Sequence, residues 1–185
     1  KYNWKKEQEK LNSLNHFTSN IDGLNIHYVY EKGKSSNAIP LLISHGWPGS
    51  FLEFNKIIGP LTNPKEYGLD DNICFDLVMP SIPGFVFSSA PKYPYGPRKI
   101  ASYYDKLMTQ ILNYESYYAQ GGDWGGAIST WLGYEHYKNC KGIHLNIMIV
   151  RDRNGPQDEA EKAWQKRFKN EQSLEEGYRT CLLYT

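Results

Sequence analysis

Gly121-Gly122-Asp123-Trp124-Gly125-Gly126 joins two unlike segments. Before it, Ser116-Tyr117-Tyr118-Ala119-Gln120 is a short aromatic run that reads as a strand. After it, Ala127-Ile128-Ser129-Thr130-Trp131-Leu132-Gly133-Tyr134 reads as a helix. A strand that passes through glycines, one reactive side chain and more glycines into a helix describes a nucleophile elbow. The turn is so tight that the residues two before and two after the nucleophile must be small, and Gly121 and Gly125 meet that demand. The usual occupant of the centre is Ser, but here it is Asp123. Met alone, a G-x-D-x-G reads more simply as an Asp capping a helix at a glycine turn. The strand and helix on either side, with a second motif upstream, favour the elbow.

That second motif follows Ile39 to Ser44, a short continuous apolar run suited to the middle of a parallel sheet. It is His45-Gly46-Trp47-Pro48-Gly49-Ser50. A helix is expected next, from about Ser50 to Ile58, stopped by Gly59-Pro60. Phe75-Asp76-Leu77-Val78-Met79 is another buried strand, ending at Pro80, and a loop rich in Pro, Gly, Ser and aromatics runs from Ser81 to Gly96. Pro97 opens a helix whose apolar positions Ile100, Tyr104, Leu107, Met108, Ile111 and Leu112 recur at helical spacing.

Nearer the N-terminus, Trp4 to Leu14 reads as a charged surface helix. Phe17 to Ile21 and Leu24 to Tyr30 flank Asp22-Gly23, a strong hairpin signal. Downstream, Ile143 to Val150 reads as one more strand, and the composition turns charged and helical from Asp158 to Glu171. A hairpin followed by alternating strands and helices gives an α/β fold with a mostly parallel sheet.

The chain has 185 residues, enough to bury about two thirds of its unfolded surface around one core. With a net charge of +1 it makes no electrostatic case for nucleic acid or an acidic membrane face. No apolar run approaches the ~18 residues that span a bilayer. Cys74, Cys140 and Cys181 are widely spaced without C-x-x-C, so reduced thiols in a cytoplasmic setting are expected. No paired Cys/His set suggests a metal, and the glycines lack both the G-K-[ST] and the G-x-G-x-x-G pattern, so neither a metal nor a nucleotide cofactor is expected. Among the histidines, His16 and His27 are expected at the surface, His136 on the helix after the elbow, and His144 as a hydrogen-bonded core residue. His45 shapes the turn of its motif and is not read as a base.

The motifs His45-Gly46-Trp47-Pro48-Gly49-Ser50, Pro80-Ser81-Ile82-Pro83-Gly84-Phe85 and Gly121-Gly122-Asp123-Trp124-Gly125 together resemble epoxide hydrolases of the microsomal, juvenile hormone epoxide hydrolase-like type, within the α/β-hydrolase superfamily. The stretch from Tyr2-Asn3-Trp4 to Ile21-Asp22-Gly23-Leu24-Asn25-Ile26-His27 resembles the leader of that branch. The resemblance implies an α/β-hydrolase fold with a leader and first hairpin over 1–37, a partial core over 38–150 and the start of a helical lid over 151–185. It implies Asp123 as nucleophile, the backbone N–H groups of Trp47 and Trp124 as an oxyanion hole, and Tyr178 as the first lid proton donor, with His45, Gly46, Pro48, Gly121, Gly122 and Gly125 as motif residues. Past Gly177-Tyr178 the chain departs from the family pattern, and the family's acid, His and second lid Tyr fall downstream. The chain is therefore read as an N-terminal portion of such an enzyme.

The chemistry fits these atoms. An epoxide carbon is saturated and strained, and a carboxylate is ionised near pH 7, so it can attack without a base. Water then attacks the resulting ester, and the oxyanion that forms needs donors, each worth ~3 kcal/mol. The expected partners are a small apolar epoxide and water, because Trp47, Trp124 and the Phe85-Val86-Phe87 run offer an apolar lining and no cationic clamp. A haloalkane or haloacid dehalogenase shares the Asp-Trp pair but commonly carries Asn where this chain has Trp47. A non-catalytic binding protein on the same fold also matches a chain without its water-activating pair. Were Thr185 the end of the chain, the Ile143–Val150 strand would lack a neighbour, and association between copies would be expected.

Overall fold

The computed structural model describes residues 1–70, 72–148 and 155–167. Strands β1 (His16–Ile21) and β2 (Leu24–Glu31) pair antiparallel across Asp22-Gly23, both at positive φ (50° and 82°), as a two-residue hairpin demands. β4 (Phe75–Pro80) lies antiparallel to β2. β3 (Ile39–Ser44), β5 (Tyr117–Gly121) and β6 (Cys140–Leu145) continue the sheet in parallel, giving the order β1-β2-β4-β3-β5-β6. The expected α/β architecture is present.

Side chains alternate between the two faces, and both faces of the central strands are covered. Ile26, Tyr28, Leu42, Val78 and Ala119 pack against α3 (Pro97–Lys106) and α4 (Asp123–Glu135) through Ile100, Tyr104, Ile128 and Leu132. Val29, Ile43, Leu77 and Met79 form the other core with Phe51 and Phe54. Leu11 of α1 (Trp4–Asn12), and Ile58 and Leu61 of α2 (Asn55–Thr62), close over them. Pro97 sits at the first turn of α3, where a missing N–H costs nothing, and α3 passes into a single π turn over Leu107–Ile111.

Several expectations need correction. The segment after Ser50 is a 3-10 turn (Phe51–Phe54) followed by α2, and α2 runs through Gly59-Pro60 to Thr62. A residue before proline is pushed out of the helical region mainly by its Cβ, which Gly59 lacks, and burial of Leu61 rewards one more turn. α4 begins at Asp123, four residues earlier than expected, because Gly122 takes the extended N-cap conformation. β6 begins earlier, at Cys140, and ends at Leu145. Asn146 turns away there, its N–H donating to Gly121 O at 3.2 Å and its side chain accepting from Gln120 Nε2 at 3.1 Å. His144 is exposed, because β6 is the outer strand among the described residues. Within the second segment, 159–167 are helical, and Asp158 Oδ1 caps Glu161 N at 2.8 Å. The remainder of the expected Asp158–Glu171 helix, the residues 149–150 expected in a strand, and Cys181 lie outside the described residues. Cys74 and Cys140 are buried free thiols, and burial pushes Cys140 up to about 11.

His16 and His27 are not surface residues. His27 is 2% exposed, since β2 is covered on both faces. Leu11 O can only accept, so His16 Nε2 donates to it at 2.9 Å. With both rings neutral, His16 Nδ1 then accepts from His27 Nε2–H at 2.9 Å, and His27 Nδ1 accepts from the Ser81 hydroxyl at 2.8 Å. Burial, with His16 beside it, holds His27 down at about 4. The unfolded chain therefore binds a proton that folded His27 refuses between about pH 6.5 and 4. This contribution is complete above pH 6.5 and lost as pH falls through that window, up to about 3 kcal/mol. Urea unfolding from pH 7 to 4.5 is expected to show the decline, and His27→Gln should flatten it. Equal slopes in parent and variant would contradict this assignment.

Candidate active site

Asp123 occupies the first position of α4 at a φ of 50°, a left-handed conformation that costs a non-glycine residue roughly 1–3 kcal/mol and persists only where its surroundings enforce it. The enforcement is steric. A Cβ on Gly121 would collide with the carbonyl of Gly125, and a Cβ on Gly125 would collide with the carbonyl of Ser44. β5, α4 and the end of β3 thus meet backbone to backbone, and the Asp123 side chain is driven out of the turn. It is exposed, in the first turn of a helix, where the orphan N–H groups and the dipole favour a negative charge.

The segment after β3 wraps this carboxylate. A Cβ on Gly46 would stand 2.6 Å from Asp123 Cβ and 2.7 Å from its Oδ2, so glycine is required for the approach. The Trp47 N–H donates to Asp123 Oδ2 at 2.8 Å, a charge-assisted bond when the carboxyl is ionised. The Trp47–Pro48 peptide is cis. His45 lies beneath, 1% exposed. Its Nδ1–H donates to Gly46 O at 2.9 Å, and its Nε2 accepts from the Ile82 N–H at 3.1 Å. Both ring nitrogens are occupied by backbone groups, and burial holds the ring below its ordinary pKa. His45 thus clips the two loops together.

The loop clipped by His45 is itself strained. Val86 has a φ of 50°, an outlier for a β-branched side chain, and it is 47% exposed, so little burial offsets the strain. Hydrogen bonds from Phe85 N to Ile82 O (2.8 Å), Ser88 N to Phe85 O (3.0 Å) and Ser88 Oγ to Ser81 O (2.8 Å) hold the turn. Val86→Gly is expected to raise stability by about 1 kcal/mol, the released strain exceeding the added chain entropy. A lower denaturant midpoint in that variant would contradict the strain.

Two cavities meet at Trp47. The larger, about 1190 Å³, is an open trench along the sheet between α2 and β6. Beyond the carboxyl ends of β3, β5 and β6 it is bounded by Gly46, Trp47, Pro48, Gly122, Asp123 and Asn146. The smaller, about 240 Å³, lies between the Trp47 and Trp124 side chains and the loop that leads into α3. Of the residues singled out in the sequence, His45, Gly46, Trp47, Pro48, Gly121, Gly122, Asp123 and Gly125 therefore converge. Trp124 adjoins them across Trp47, and Tyr178 lies outside the described residues.

Two polar neighbours were not foreseen. Asn146 reaches the trench because β6 ends early. The Glu53 carboxylate sits against Gly49 at the same rim. Ser50-x-x-Glu53 is a capping-box spacing, the one sequence signal that points to Glu53, and Ser50 Oγ accepts from Leu52 N at 3.3 Å. Among the described residues no helix is long and apolar enough to cross a membrane, and no group of three or more His, Cys, Asp or Glu is arranged to hold a metal ion.

Comparison with known proteins agrees with the α/β fold. Residues 1–54 match the family described as epoxide hydrolase N terminus, and residues 39–179 match the alpha/beta hydrolase fold. Epoxide hydrolase 1 of Oryctolagus cuniculus is 42% identical over 156 residues, covering 80% of this chain and 34% of that protein. Juvenile hormone epoxide hydrolase 2 of Ctenocephalides felis is 43% identical over 153 residues, covering 80% and 32%. The crystal structure of juvenile hormone epoxide hydrolase from the silkworm Bombyx mori matches with a TM-score of 0.76 at 34% identity, covering 84% of this chain and 37% of that one. The chain spans about a third of the length of the curated relatives it matches. Its two matched segments overlap within the sheet and the loop that holds Trp47, and the chain belongs to the α/β-hydrolase fold family, in the branch that carries an epoxide hydrolase N terminus.

Proposed function

We propose that this chain is the N-terminal part of an enzyme that hydrolyses epoxides to vicinal diols through an ester on Asp123. The observation that carries the reading is the Trp47 N–H held 2.8 Å from Asp123 Oδ2. That donor fixes one carboxylate oxygen and leaves the other to attack. In the first step a carboxylate oxygen bonds to a ring carbon, the carbon–oxygen bond of the epoxide breaks, and the departing oxygen takes a proton. We assign that proton to Tyr178. In the second step water adds to the Asp123 carbonyl carbon, and the oxyanion is met by the N–H groups of Trp47 and Trp124. The substrate alcohol then leaves with the oxygen that Asp123 supplied. We assign water activation to a His and an acid outside this chain. In domain terms, 1–37 serve as leader and first hairpin, 38–150 as part of the core, and 151–185 as the beginning of a lid.

The same Asp-Trp pair would suit attack on a carbon–halogen bond, so the test compares the two substrates. The full polypeptide carrying this chain should convert a neutral terminal epoxide to its diol and leave the matched chloroalkane intact. Chloride release without diol formation would reverse the assignment.

A further inference from the structure

Resting on the ester chemistry proposed above, we propose that His27 and Ser81 are positioning residues for the oxyanion donor, so that the β1–β2 hairpin governs how fast the Asp123 ester is hydrolysed. The donor is aimed from behind. The Trp47 N–H that meets Asp123 Oδ2 at 2.8 Å belongs to the same peptide unit as the Gly46 carbonyl. A peptide unit is planar, so whatever holds its carbonyl also sets the direction of its N–H. Two donors hold that carbonyl, His45 Nδ1–H at 2.9 Å and the Gly49 N–H at 3.0 Å.

The hold on His45 comes from the hairpin. A neutral imidazole that donates from Nδ1 accepts at Nε2, and there the ring meets the Ile82 N–H at 3.1 Å. The seat of the ring therefore follows the seat of Ile82. Its neighbour Ser81 is strapped to one residue of β2 in three ways. The Ser81 N–H donates to His27 O at 2.8 Å, and the Ser81 hydroxyl donates to His27 Nδ1 at 2.8 Å. Ser81 O accepts from the Ser88 hydroxyl at 2.8 Å, and Ser88 Oγ in turn accepts from the His27 N–H at 2.9 Å. His27 Nδ1 is free to accept because its Nε2–H is spent on His16 Nδ1, at 2.9 Å, and His16 donates onward to Leu11 O. Ser81, His27 and His45 are 0%, 2% and 1% exposed, so bulk water does not replace a partner that is lost. A contiguous set of buried bonds thus runs from α1 through His27, Ser81–Ile82 and His45 to the peptide that faces Asp123.

The effect falls on one half-reaction. During alkylation the Trp47 N–H meets a carboxylate that is losing its charge to the ester, and a looser donor leaves that nucleophile no weaker. During hydrolysis a full negative charge gathers on the ester carbonyl oxygen, and a donor aimed there in advance stabilises it most in the transition state.

The test follows the two half-reactions separately in the full polypeptide by rapid quench, reading the ester as an adduct on the peptide from Gly121 to Trp131. Ser81→Ala and His27→Gln should each slow ester hydrolysis by about tenfold, part of the roughly 10²–10³-fold that a whole donor supplies, and slow alkylation by about twofold or less. The ester should then accumulate in the steady state. Loss of folded protein alone would lower both rates together and leave their ratio unmoved. Tyr114→Phe is the control. It removes a 2.6 Å bond to Asp76 Oδ2 at the opposite end of β4, and it should not change the ratio. In a His45→Gln background, Ser81→Ala should add about twofold or less, because both act on the same peptide. Ser81→Ala deletes a single oxygen, so it carries the test even if His27→Gln does not fold. Equal slowing of both steps, or the same shift in Tyr114→Phe, would overturn the positioning role alone, and an undiminished Ser81→Ala effect without His45 would overturn the route through that ring. A parent that never forms an ester on Asp123 would overturn the inference together with the function on which it rests.

Discussion

Asp123→Asn is expected to abolish diol formation, by ~10⁴-fold or more in kcat, because an amide is a far weaker nucleophile than a carboxylate. The substitution keeps the shape of the side chain, and an amide oxygen still accepts from the Trp47 N–H that Asp123 Oδ2 meets at 2.8 Å. The fold should therefore survive while the chemistry does not. A second readout isolates the first half-reaction. If the segment folds and binds an epoxide without the water-activating groups, it should alkylate itself once and stall. Intact mass should then show one adduct, peptide mapping should place it between Gly121 and Trp131, and Asp123→Asn should remove it. Labelling at Cys140 would instead point to a reactive thiol, although burial raises that thiol to about 11. Steady diol production by residues 1–185 alone would mean that a residue within them serves as the base.

Gly125→Val is expected to cost more than ~4 kcal/mol, enough to unfold a marginally stable domain. The reason is steric and does not involve φ. Its Cβ would overlap the carbonyl oxygen of Ser44, a backbone atom fixed by the pairing of β3 with β5, and nothing flexible can move aside. Gly96→Ser is the control. A Cβ there meets nothing within 4 Å, and Ser suits the N-cap of α3 that Gly96 occupies, so stability should change by about 0.5 kcal/mol or less. Denaturant unfolding of both variants checks the contrast, and a Gly125→Val protein as stable as the parent would contradict the packing.

The elbow was legible because it depends on local chemistry. Small residues at fixed offsets from Asp123, between a strand-like run and a helix-like run, admit few other conformations. The hairpin at Asp22-Gly23 was legible for the same reason. What escaped the sequence depends on partners far along the chain. His27 looks like a polar residue in a hairpin strand until the Ser81–Ser88 loop and Phe51 close over it. His144 looked like core because its strand is apolar, yet burial there requires a neighbour beyond β6. The α2 boundary failed because Gly59 weakens the rule that proline ends a helix one residue early. An apolar lining from Trp47, Trp124 and Phe85 was legible, whereas the parts of Pro91, Tyr95 and Ile100 were not, since the loop after β4, the segment before α3 and the elbow meet only in the fold.

The covalent ester on Asp123 is tested most directly by one turnover in H₂¹⁸O, with enzyme in excess over epoxide. If Asp123 attacks the substrate, the oxygen added to the first diol comes from its carboxylate, and the water oxygen is left behind on Asp123. The account predicts an unlabelled first diol and ¹⁸O in the peptide spanning Gly121 to Trp131. An ¹⁸O-labelled diol from that first turnover, with an unlabelled peptide, would mean that water opens the epoxide directly and would contradict it.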